Sequence, residues 1–220
     1  MLRLRHLPLL LAALATACAK DPPASPYGPE VALVVDGEVI LKADIERFAA
    51  VHSASAPELG KRTVSRYLLE NYVLPLRFAE RDFGARRKEL LAQAEGLVSV
   101  ATNAIELEQR CGVFFHQRKA VNRRQIEAPL AEFAFDRELM GSVSKPLAVP
   151  RGYVVAACFD IQESAVVTED LADLLQVGFL THSNAEWTDW LRGLQERLAD
   201  KLVYVHPDYR ESLPSWLRLP

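Results

Sequence analysis

The sequence predicts an α+β fold that is mainly α-helical, and three observations carry that expectation. A β-branched run, Val31–Val35, meets an Asp36-Gly37 turn and a returning run, Glu38–Leu41. Apolar residues then recur at three- and four-residue steps over most of 44–110 and again over 183–201. One middle stretch, Tyr153–Ile161 (YVVAACFDI), reads as a buried strand.

The composition is that of an ordinary globular chain. Of 220 residues, 50% are hydrophobic and 25% charged, which is ample for a core and argues against intrinsic disorder. A net charge of −3 argues against a general nucleic-acid binder, because phosphate neutralisation needs a basic surface. Three cysteines are too few for a disulfide scaffold.

Residues 1–17 read as a secretory signal peptide: Arg3 and Arg5, an apolar Leu7–Leu14, and the small residues Ala15-Thr16-Ala17. The apolar stretch is shorter than the ~20 residues a spanning helix needs. Cys18 follows at once, and Leu14-Ala15-Thr16-Ala17-Cys18 resembles a bacterial lipobox, with Ala15 where leucine is commonest. The resemblance implies acylation of Cys18 and a bilayer anchor, each buried CH₂ contributing ~0.8 kcal/mol. Ala19 after the cysteine points to the outer rather than the inner membrane by analogy with enterobacterial sorting. Residues 18–30 then form a tether, since Lys20–Glu30 holds four prolines and one glycine.

Beyond the first hairpin, the spacing predicts a helix over Asp44–His52, another over about Lys61–Phe83 kinked at Pro75, and a third over about Ala85–Arg110. A further helix is expected over Thr168–His182, with Thr168 as its N-cap and Glu169 and Asp170 in the first turn. Ser183–Lys201 has a capping box, Ser183 to Glu186, with Trp187, Trp190, Leu191, Leu194 and Leu198 on one face. Leu202–Val205 reads as a closing strand.

Two segments resemble SurA/PrsA-type periplasmic foldases. VALVVDGEVILKADIERFAAV (31–51) is similar to the opening strand–turn–strand–helix of that family, and RTVSRYLLENYVLPLRFAERDFG (62–84) to its next helix. The Trp-bearing helix and strand of 184–209 resemble its closing segment. The resemblance implies a helical SurA-like module built from both chain ends: 31–124, completed by 165–210, with a 211–220 tail. Between them, 125–164 would be a reduced parvulin-like insert. Phe135–Val154 (FDRELMGSVSKPLAVPRGYV) resembles the end of a parvulin, but Val154 stands where that family closes with histidine, and His116 is not in a matching opening strand. Valine cannot supply the donor and acceptor of an imidazole.

The remaining chemistry is sparse. Cys111 and Cys158 would meet an oxidising periplasm and form a candidate disulfide, with two buried thiols as the equal alternative. The apolar run around Cys158 argues for an inert thiol. His52, His116, His182 and His206 show no metal-ligand spacing. No cofactor, nucleic acid or small-molecule substrate is indicated. The expected function is a membrane-anchored, periplasm-facing lipoprotein acting as a chaperone for unfolded or extended envelope polypeptides. A hydrophobic groove between the N-terminal helices and the returning helix would hold them, without prolyl isomerase activity. The alternatives are a non-catalytic subunit of an envelope or secretion assembly, and an active peptidyl-prolyl isomerase.

Overall fold

A computed structural model of the chain describes residues 26–55, 58–166 and 169–219; the signal segment, Cys18 and Thr168 lie outside them. Strand β1 (Val31–Val35) is buried along its whole length and turns into β2 (Glu38–Leu41). Asp36 and Gly37 both take positive φ, 49° and 81°, the conformation a two-residue hairpin needs. Helix α1 (Lys42–Ser55) follows, and Asp44 accepts a hydrogen bond from the Leu41 N–H at 3.1 Å.

Helix α2 (Lys61–Leu68) runs through a π-helical turn, Leu69–Val73, into α3 (Leu74–Asp82). The Leu74 N–H reaches back to the Leu69 carbonyl, so the ladder widens just before Pro75, which has no N–H to give. Helix α4 (Gly84–Val98) and α5 (Ala104–Arg110) stand where one helix was expected. The break has a cause: Asn103 caps α5 by accepting from the Glu106 N–H, and Glu106 accepts from the Thr102 N–H at 2.8 Å.

The rest of the chain runs β3 (Phe115–Val121), α6 (Ala128–Ala134), β4 (Leu147–Val149), β5 (Gly152–Gln162), β6 (Leu171–Leu180), α7 (Asn184–Leu198) and β7 (Leu202–Val205). Two antiparallel sheets result, with strand orders β2-β1-β7 and β3-β6-β5-β4. About half of the described residues are helical and about a quarter are in strands. The fold is therefore mixed α/β, and the expectation of a mainly helical, SurA-like module is wrong. The error lies chiefly in Thr168–His182, read as helix, where Leu171–Leu180 is strand β6 of the second sheet; β3 (Phe115–Val121), which the sequence does not announce, is another of its strands. The expected insert of 125–164 accordingly holds only part of a sheet that extends from 115 to 180.

The two chain ends meet. β1 lies between β2 and β7, and the His206 N–H donates to the Ala32 carbonyl at 2.7 Å. Leu33, Ile40, Leu68, Leu74 and Phe78 pack in one core with Leu194, Leu198 and Leu202. Helices pack on both faces of the second sheet. On one, Leu90, Leu97 and Leu107 of α4 and α5 pack on Val155, Leu175, Val177 and Phe179. On the other, α6 packs on Val121, Ala156, Cys158 and Leu174. Gly152 is required at its place: φ is +148°, and a Cβ there would sit 2.1 Å from the Phe179 carbonyl oxygen. Arg87 of α4 is 2% exposed and donates to the carbonyls of Val149, Pro150 and Gly152, fixing the β4–β5 turn to the helix. The Tyr72 hydroxyl donates to the Ala148 carbonyl at 2.9 Å, tying the first core to the edge of the second sheet.

Candidate functional site

Alternation along β6 shows where the second sheet is left open. Ala172 and Leu174 point to α6, while Leu175, Val177 and Phe179 point to α4 and α5. Gln176, Gly178 and Leu180 share the α6 face, but α6 is too short to reach them. The uncovered half of that face is a cleft of about 280 Å³. Phe115, Gln117 and Lys119 of β3 form one wall, and Val154 of β5 contributes to the floor. Ile126, Glu127 and Leu130, at the entry to α6, close the other side with Val149 and Arg151. Gly178 keeps the floor low, since a Cβ there would crowd the Phe115 ring at 3.3 Å.

The polar groups of this cleft are poorly satisfied. Arg151 donates through its terminal nitrogens to the His182 carbonyl at 2.7 Å and to Asn184 Oδ1, yet its Nε is buried without a partner. Nε2 of Gln176 is likewise buried and unpartnered. The Glu127 carboxylate has no hydrogen-bond partner among the described residues. It is exposed at the cleft, and desolvation pushes its pKa up to about 7, with the Arg151 charge acting in the opposite sense. Burial pulls the Arg151 guanidinium down, and Glu127 partly restores it.

The residues singled out from the sequence fall as follows. Cys18 lies outside the described residues. Cys111 and Cys158 are both buried and both free, in the cores on opposite faces of the second sheet, so the candidate disulfide is not formed. Cys111 Sγ meets the Glu108 carbonyl at 3.3 Å and Cys158 Sγ the Asp160 carbonyl at 3.4 Å; burial pushes both thiols up. Val154 lines the cleft, whereas His116 stands on the other face of β3, its Nδ1 2.9 Å from the Phe114 carbonyl oxygen. A histidine in place of Val154 would therefore not meet His116. Among the described residues no cluster of histidine, cysteine and carboxylate side chains is gathered for a metal.

Helix α7 spends Leu194 and Leu198 on the core, and its Trp190, with Trp187 stacked on it at 4.5 Å, braces Phe83 at the start of α4. A hollow of about 230 Å³ near Phe48, Tyr72 and Leu76 is lined without α7. Sequence reasoning misses Glu127, Arg151 and Gln176. The one readable signal is Gln176-Val177-Gly178, a polar and a side-chain-free residue on one face of an apolar run. Among the described residues no helix is long and apolar enough to cross a membrane. Comparison with protein-family models, with curated proteins and with solved structures finds no match to this chain.

Proposed function

We propose that this protein is a periplasm-facing lipoprotein, anchored through Cys18 and more suited to the outer than the inner membrane, that holds extended segments of unfolded envelope polypeptides. A kinship of its 31–51 opening with SurA/PrsA-type foldases belongs to the proposal; the helical architecture that the resemblance implied does not. One observation supports the reading above others: the half-covered sheet face, with an apolar floor of Val154 and Leu180 and the polar side chains Gln117, Lys119 and Gln176 along it. Such a surface suits a chain that offers apolar side chains and main-chain carbonyls together. Prolyl isomerisation is not part of the reading, because Val154 presents methyl groups at the floor and, among the described residues, no imidazole lines the cleft.

Two assays on the purified full-length protein test this. Light scattering of a urea-unfolded outer-membrane β-barrel protein should be suppressed at near-equimolar ratios, and Leu180→Asp should weaken the suppression. A proline-containing peptide should isomerise at its uncatalysed rate, over tens to hundreds of seconds. Absence of protection for any unfolded client would overturn the holding function and favour an interaction subunit. Rapid isomerisation would favour the enzyme.

A further inference from the structure

The two edges of the second sheet differ. β4 is only three residues long, and two of its carbonyls are taken: Ala148 accepts from the Tyr72 hydroxyl and Val149 from Arg87. β3 is seven residues long and pairs with β6 in one unbroken register, from Phe115 opposite Gly178 to Val121 opposite Ala172. An edge strand turns the N–H and C=O of every second residue away from its sheet. Among the described residues no other segment takes up these groups on β3. The strand is exposed from Phe115 to Ala120, and Phe115 itself is 66% exposed. Sheet edges are usually blunted by shortness, a bulge, a proline, a cover or charge. Among the described residues β3 has none of the first four, so its charges decide what it can meet.

Those charges are not equivalent. Arg118 is turned back over its own sheet: it pairs with Glu108 at 2.7 Å and Asp173 at 2.6 Å and stands 3.7 Å over the Phe159 ring. Lys119 lies on the cleft face with Phe115 and Gln117, and no carboxylate pairs with it among the described residues. Glu127, the carboxylate of the cleft, is set against Arg151. A second copy of the chain does not supply the missing partner. Directly opposite residues of an antiparallel pair share a face, and the cleft-face residues of β3 are Phe115, Gln117, Lys119 and Val121, none of them acidic.

We propose that β3 receives an extended segment of another polypeptide as an antiparallel fifth strand, with a carboxylate side chain beside Lys119 and, four residues further along that segment, an apolar side chain beside Phe115. This rests on the holding function above and names the edge used and the pattern held. Main-chain pairing supplies affinity whatever the sequence, and Lys119 and Phe115 supply the preference. The antiparallel sense is the more stable one per residue and matches every pairing within the sheet.

The test compares three fluorescent ten-residue peptides, rich in valine and threonine, on the full-length protein. The parent carries a glutamate and, four residues on, a phenylalanine. The second has lysine in place of the glutamate. The third is the parent with its central amides N-methylated, so that it cannot donate to a neighbouring strand. The parent should bind and slow hydrogen exchange of the 115–121 amides. N-methylation should weaken binding at least tenfold. Lysine should weaken it about fivefold, as expected of an exposed charge pair turned from attraction to repulsion. Lys119→Glu, a change at an exposed position, should reverse the order of the first two peptides. Should that variant fail to fold, the three peptides on the native protein still decide. Equal affinity for the parent and the N-methylated peptide overturns the proposal, as does an unchanged order in Lys119→Glu. Slowed exchange over 115–121 in a concentration-dependent dimer without peptide overturns it in favour of a second copy. No peptide binding together with full protection of an unfolded client overturns strand addition alone; loss of both overturns the holding function as well.

Discussion

Glu127 couples the cleft to pH, and the sign follows from its surroundings. Its folded-state pKa of about 7 is above the ~4.3 of a free glutamate, so between these values the native state keeps a proton that the unfolded chain has lost. Stability from this group is present at low pH and is lost as pH rises through about 7. His52, whose pKa burial lowers, acts in the opposite sense, so the comparison must be made between variants. The urea midpoint of the native protein should fall between pH 6 and pH 8, and Glu127→Gln, which cannot ionise, should remove most of that fall. An unchanged pH profile in the variant would show that Glu127 is ionised throughout. Residues like this are hard to read from a sequence. Glu127 stands in a polar-looking Gln-Ile-Glu-Ala-Pro stretch, and only the fold sets it at the cleft beside Arg151. The cysteines mislead in the opposite way: their number and compartment suggest a bond, and placement on opposite faces of one sheet forbids it.

Single elements show how local pattern and tertiary context diverge. The first hairpin is legible because Val31–Leu41 is encoded locally: a buried run, a turn with positive φ, and a partner within reach. β6 is not, because Leu171–Leu180 buries one face in its first half and the other in its second. Its apolar residues therefore fall at steps that also suit a helix, and only pairing with β5 on one side and β3 on the other decides. β3 lacks the signal altogether, since as an edge strand it is exposed from Phe115 to Ala120. The arginine that holds the second sheet to α4 gives an element-scale prediction. Replacing Arg87 by methionine keeps the apolar stem but leaves three buried carbonyls without their donor. Urea unfolding should show a loss of about 2–4 kcal/mol, from hydrogen bonds to a charged group worth ~1.5–3 kcal/mol each, partly offset by removing a buried charge. A loss under about 1 kcal/mol would mean that water replaces the guanidinium.

At the scale of the molecule, the chain closes on itself, and that closure carries the last prediction. β1 is the central strand of the first sheet, yet one of its two partners, β7, comes from the far end of the sequence. Ending the chain at His182 removes α7 and β7 together. It strips Leu194, Leu198, Leu202 and Val205 from the first core and leaves Leu33, Val34 and Val35 on an unpaired, β-branched edge. Such an edge is a template for pairing between molecules. The same cut takes Asn184 from Arg151, so the cleft loses a support it does not contain. The shortened chain should therefore form soluble aggregates or fibrils on gel filtration at micromolar concentration. Its second sheet should still be covered on one face by α4 and α5, which hold their own core with Val155, Leu175 and Val177, and should show residual protection from hydrogen exchange there. Adding α7 and β7 back as a synthetic 183–220 peptide should restore a monomeric complex, because only packing and strand pairing, with no covalent link, are needed to seat them. A shortened chain that stays monomeric and unfolds in one cooperative step at the native midpoint would show that the first core does not depend on the returning end.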